Sequence, residues 1–264
     1  MARLTSNLTF TGSVGELTAY KRKGSDSIIL QQKEGPSREQ IKTHPSFANT
    51  RRNNAEFGGR STATRYIRRG LQQLSNVCDD KVAGSINAWL KPIQALDTES
   101  EWGRRSVCLS KQPYLLAGFT LNRHYPFDSV VRAPLPYTLN REALQATIAI
   151  PELLPGINLQ VGESYPFYRL TAVLAIVPDV FYNNHKYFPK PEYENLWPEA
   201  AHTEWYLAEN GSPASQLTLQ LLTPPADEGF SLMLSIGISL GKVGVGGVVQ
   251  QAKEGGTAKI VALV

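Results

Sequence analysis

The run FSLMLSIGISL, Phe230–Leu240, constrains this chain more than any other stretch. Phe230, Leu232, Leu234, Ile236, Ile238 and Leu240 occupy every second position, with Ser231, Met233, Ser235, Gly237 and Ser239 between them. Successive side chains of a strand point to opposite faces, so a period of two sustained this long predicts a strand with one apolar face to bury. LQATIAI repeats the pattern with Leu144, Ala146, Ile148 and Ile150, and QLTLQLL repeats it again. YRLTAVLAI is apolar on both faces from Leu170 to Ile176, as a central strand would be. AENGSP, TPPADEG and KEGG carry turn residues between these runs. Residues 98–264 are therefore expected to form an antiparallel β-sandwich.

Ahead of the sandwich the period changes. Ala63, Ile67, Leu71 and Leu74 recur every three to four residues, and so do Val82, Ile86, Leu90 and Ile93. Two such stripes over 43–97 predict a helical hairpin packed on a sheet. THPS, with Thr43 near the cap and Pro45 in the first turn, marks the start. Gly58-Gly59 is expected to interrupt the first helix and Pro92 to end or kink the second.

Residues 1–42 read as an extended N-terminal arm with a hairpin. ELTAYKR and DSIILQQ are strand-like, and KGSD between them is a turn. Two strands with so little to bury are marginal alone, so the arm must lie on something else. The fold class expected is α+β, mainly β: a sandwich, a helical hairpin and an arm.

Charge is unevenly distributed. Residues 1–75 hold 13 Lys or Arg against 5 Asp or Glu, and residues 76–264 hold 14 against 18. The first part is thus +8 and the second −4, fit either for a nucleic-acid contact or for docking one part on the other or on a second copy. Lys21, Arg22 and Lys23 lie at the hairpin; Arg51, Arg52, Arg65 and Arg69 could form a stripe along the first helices.

Signals for catalysis are lacking. Gly12 and Gly15 match neither phosphate-binding loop and are read as turn glycines. The four histidines do not pair at metal-ligand spacing, and no nucleophile motif is present. Cys78 and Cys108 are read as reduced, half-buried thiols. Neither cofactor nor metal is expected, and the chain is read as non-enzymatic. No run of 18 apolar residues spans a membrane, and MARLTSNLTFTGSVG has no signal-peptide core, so synthesis in the cytoplasm is expected, with the final location open, including release or a place in a particle. Residues 181–206 hold eight of the 24 aromatics; Tyr187, Tyr193, Trp197, Trp205 and Tyr206 among carboxylates form a candidate aromatic interface or sugar-stacking surface.

The elements G-x-x-G-x-x-x-x-Y-K, here Gly12–Lys21, and T-R-x-N-x-x-E-F-G, here Thr50–Gly58, together with SIGISLG and the final GGTAKIVALV, resemble an uncharacterised family of bacterial proteins common in Bacteroidota genomes. The resemblance covers around half of the chain. It implies no activity and so assigns no functional residue.

The expected function is a structural subunit that joins copies of itself into a filament, tube or shell. The contacts expected to do so are Gly12, Gly15, Leu17, Tyr20, Lys21–Lys23 and the arginines above, with Leu17 and Tyr20 as anchors. The alternatives are nucleic-acid association through residues 20–70 and carbohydrate binding through 181–206.

Overall fold

The computed structural model describes residues 2–3, 10–22, 24–32, 35–162, 164–183 and 185–264, with backbone alone at 2, 3, 245, 253 and 254. The chain forms two compact units, Met1–Arg51 and Arg52–Val264.

The first unit is a four-stranded antiparallel sheet followed by a short helix. Its strands are β1 (Ala2–Arg3), β2 (Gly12–Val14), β3 (Leu17–Lys21) and β4 (Ile28–Gln32), in the order β1-β4-β3-β2. The two strands expected here are β3 and β4, paired from Leu17↔Gln32 to Lys21↔Ile28. β2 adds to β3 through the two-residue turn Gly15-Glu16, where Gly15 has φ +58°. A left-handed glycine at the first central position matches the twist of a tight hairpin, so the turn reading of this glycine holds. α1 (Arg38–Thr43) was not expected. Ser37 Oγ accepts from Gln40 N and the Gln40 side chain accepts from Ser37 N, a reciprocal cap that holds six residues without any apolar burial.

α2 (Ala48–Gly70) follows a single 3₁₀ turn capped by His44. It runs unbroken through Gly58-Gly59, contrary to the expected interruption. Glycine lowers helix propensity by only about 1 kcal/mol, which tertiary packing overrides. Here a Cβ at Gly59 would stand 2.7 Å from the Tyr187 ring, so packing requires the missing side chain. A 3₁₀ stretch, Gln72–Val77, leads to α3 (Val82–Ala95), which continues three residues past Pro92. Every residue of both predicted stripes is buried.

The rest is the expected sandwich. The remaining strands are β5 (Tyr137–Asn140), β6 (Gln145–Ile150), β7 (Phe167–Pro178), β8 (Phe181–Asn183), β9 (Lys186–Phe188), β10 (Glu199–His202), β11 (Tyr206–Leu207), β12 (Ser215–Gln220), β13 (Phe230–Val243) and β14 (Val249–Leu263). One sheet runs β10-β7-β13-β14, with β11 also on β7; the facing sheet runs β12-β6-β5; β8 and β9 form a separate hairpin. β13 pairs with β7 in unbroken register from Phe230↔Pro178 to Gly241↔Phe167. The alternating face of β13 packs against Ala146, Ile148, Ile150, Leu217 and Leu219 of the second sheet. Burying a side chain such as Ile236 there stabilises by about 2–3 kcal/mol.

The other face of β13 is also buried. Met233, with Val173 and Ala175 of β7, packs on Ile67, Leu71, Leu74, Ile86 and Leu90, so the layers run helices, five-stranded sheet, three-stranded sheet. Small residues let the helical layer sit close. A Cβ at Gly237 would stand 2.6 Å from Leu74, and one at Gly70 would stand 2.8 Å from Ala175. The free side of β14 is covered where Gly118 N donates to Ile260 O and Leu121 N to Ala258 O.

Candidate functional site

In the first unit the candidate contacts gather on β2, β3 and their turns. Lys21 pairs with Asp26 at 2.9 Å, both side chains more than half exposed. Gly12 and Gly15 have φ of +127° and +58°, and a Cβ at either would touch nothing. Leu17 and Tyr20 are three apart in one strand, so they project from opposite faces. Neither is buried; they are 43% and 37% exposed, and Val14 beside them is 64% exposed. The expected pair of anchors is therefore two separate exposed side chains. Ala19 is the one buried hydrophobic residue of this sheet among the described residues. Arg22 is exposed, and Lys23 lies outside the described residues. The outer side of β2 pairs with no strand among the described residues.

The arginines are individually engaged instead of forming a free stripe. Arg51 donates to the carbonyls of Ile41 and His44 at 2.8 and 2.9 Å. Arg52 stacks over Trp102, and Arg65 over Tyr66. Arg69 lies 4.2 Å above the Trp197 ring and donates to the Glu194 carbonyl. The donors or the flat face of each guanidinium are committed.

The EFG element of the first helix is a structural anchor. Glu56 is buried and takes a two-point contact from Arg105, Nε to Oε1 at 2.6 Å and Nη2 to Oε2 at 2.8 Å, plus Gly103 N at 3.0 Å. Burial raises the Glu56 pKa, but these donors outweigh it and hold the carboxyl below its ordinary range. Arg60 continues the network to Gln94 and Asn87 on α3, and Tyr187 donates to Gly103 O.

Residues 181–206 are pinned by their own aromatics. Tyr187 is half-buried against the helical core, and burial pushes its hydroxyl pKa up. Tyr193 is buried and donates to Asp227 Oδ1 at 2.7 Å; Lys190 pairs with the same carboxylate. Trp205 lies under Arg169, and Tyr206 against Tyr168. Trp197, 62% exposed, is the member of this set that faces solvent most. The five rings do not assemble into one surface.

A further hollow lies elsewhere, a cleft of about 590 Å³ in the second unit. It opens between the 76–80 segment, residues 122–125 with Val130, residues 160–162 with Ser164 and Tyr165, and the β13–β14 strands at Leu240 and Gly255-Gly256. Sequence reading missed it because its walls come from five separated segments. Among the described residues no group of three His, Cys, Asp or Glu is placed to hold a metal ion, and no helix is long and apolar enough to cross a membrane. No protein-family model, curated protein or solved structure matches this chain.

Proposed function

We propose that this chain is a non-enzymatic structural subunit that joins copies of itself, with the first unit as the joining element. One observation carries the reading. The four-stranded sheet buries a single hydrophobic residue, Ala19, among those described, while Val14, Leu17 and Tyr20 stand exposed and the outer side of β2 pairs with no described strand. A sheet needs apolar cover to be stable, and an open edge offers backbone donors and acceptors that an added strand satisfies. A second copy supplies both at once, and closed or open assemblies follow from how the contact repeats. The exposed tip of the β13–β14 hairpin, Val243 and Val248, is a second apolar surface for such contacts.

The second unit has its own core, so the reading can be tested by removal. Deleting residues 1–36 is expected to leave a folded protein that sediments as a monomer, where the full chain sediments as an oligomer. A full chain that is monomeric at high concentration, or a truncated chain that keeps the full-length oligomeric state, overturns the proposal.

A further inference from the structure

The cleft of the second unit has a lining of polar and apolar side chains with few charges. Among the described residues that line it none is a lysine or arginine, in a chain whose formal net charge is +4. Asp79 at its rim is already neutralised: Oδ2 accepts from Arg123 Nε at 2.9 Å and from Arg123 N at 3.1 Å, and Oδ1 accepts from Lys81 N at 2.8 Å. What remains is a set of side chains with hydrogen-bonding capacity to spare. Asn76, Asp80, Gln160, Ser164 and His124 make no side-chain hydrogen bond to another described residue, and the Tyr125 ring is 66% exposed. Asn122, by contrast, is spent. Its amide donates to Gly256 O, and its carbonyl accepts from the backbone of His124 and Tyr125, holding those two residues at the cleft mouth.

The back wall is apolar and close. Val77, Val130, Val161 and Leu240 line it, with Gly255-Gly256 as bare backbone between. Gly256 cannot carry a side chain, since its φ is +113° and a Cβ would stand 2.1 Å from Ile238 O. At Gly255 a Cβ would project to 3.3 Å from both Leu240 and the Tyr165 ring, into contact with the wall. Gly255 therefore leaves room beside Leu240 and Tyr165 in a space whose size falls in the usual range for small-ligand sites.

From this geometry we infer that the cleft binds a neutral saccharide unit. A sugar ring presents an apolar C–H face and a rim of hydroxyls that both donate and accept. The tyrosines and the valine wall suit the face. Amides, a hydroxyl and one carboxylate suit the rim, because each hydroxyl needs an acceptor or donor once water is displaced. Phosphorylated or carboxylated ligands are disfavoured, because no described lining residue is a cation and Asp80 repels them. This site is separate from the residue 181–206 surface, where the aromatics are committed to the protein itself.

Saturation-transfer NMR on the full chain tests the assignment, with glucose, galactose, mannose, N-acetylglucosamine and lactose as neutral probes and glucuronic acid and tetramethylammonium as charged ones. At least one neutral sugar is expected to bind at millimolar strength, and Tyr125→Ala or Gln160→Ala, both at exposed positions, to weaken it about tenfold, the loss of one good contact. Trp197→Ala is expected to leave binding unchanged. The inference is overturned if no neutral probe gives a signal, if a charged probe binds more tightly than every sugar, or if binding follows Trp197 instead of Tyr125. It is equally overturned if Tyr125→Ala changes the sedimentation of the protein, since a second copy would then occupy the cleft.

Discussion

The sheet of residues 2–32 and the five-stranded sheet built on β7 and β13 follow the same antiparallel hydrogen-bonding rules, yet they stand in opposite circumstances. In the large sheet Leu174, Met233, Leu234 and Ile236 are all fully buried, and both faces are covered, one by helices and one by β5, β6 and β12. In the small one, Ala19 alone is buried among the described hydrophobic residues. Both are antiparallel ladders, longer in the large sheet, but the difference in apolar cover is the greater one. Hydrogen bonds contribute about 1 kcal/mol net apiece, whereas cover decides whether a sheet stands alone. Among the described residues the small sheet is thus thinly covered, and the large one is a finished core.

The largest expected effect sharpens that contrast. Ile236→Asp places an unpaired charge between two sheets and is expected to cost more than about 4 kcal/mol, enough to abolish soluble expression. Leu17→Asp, the same chemistry on the small sheet, is expected to leave the melting temperature of the second unit unchanged while reducing oligomer formation in sedimentation. If Leu17→Asp also unfolds the chain, the small sheet is a core and the comparison fails.

Next come the glycines. Gly256→Ala forces a Cβ onto Ile238 O and Val77 at a left-handed φ, and a loss of about 3 kcal/mol is expected by chemical denaturation. Gly15→Ala meets only the left-handed φ, with open space around it, and about 1 kcal/mol of local strain is expected, visible in assembly and not in the melting of the second unit.

A smaller difference separates two ion pairs. Glu56→Gln removes the charge from a buried carboxylate whose partner Arg105 is itself partly exposed, and about 2 kcal/mol of stability should be lost at pH 7. Asp26→Asn breaks an exposed pair and should leave the melting curve unmoved. The acid limb should show the same distinction. The Glu56 carboxyl is held below its ordinary 4.5, so its contribution is present above that value and fades as pH falls through the lowered one. Asp227, held at about 2 by Lys190, Tyr193 and Gly229, behaves likewise between its ordinary 3.8 and about 2. Glu56→Gln should therefore flatten the loss of stability below pH 4.5, measured by thermal melts across pH.

Much of this fold is legible in the chain because periodicity is geometry. A strand that buries one face must alternate, and Phe230–Leu240 does; a helix lying on a sheet must carry a stripe, and Ala63–Leu74 and Val82–Ile93 do. Where tertiary packing overrules local preference, legibility ends. Gly58-Gly59 looks like a break only until Tyr187, more than a hundred residues away, is placed against it. α1 escaped notice because it buries nothing; its sole signal is the Ser37-x-x-Gln40 capping pair. The arginines are readable as a cluster, but their individual partners, Trp102, Tyr66, Trp197 and three backbone carbonyls, are not. The cleft is assembled from residues 76 to 256 and has no local signature at all.

The seating of the helical stripes on β13 also fixes an order of events. Ile67 and Met233 share one core but stand 166 positions apart in the chain. At a synthesis rate of about 5–20 residues per second, the stripe of α2 waits roughly 10–30 s for the strand that will cover it. Folding dominated by such distant pairings is slow. During that interval the nascent chain presents two helical stripes whose cover is incomplete, α3 and later β7 supplying part of it, until β13 arrives.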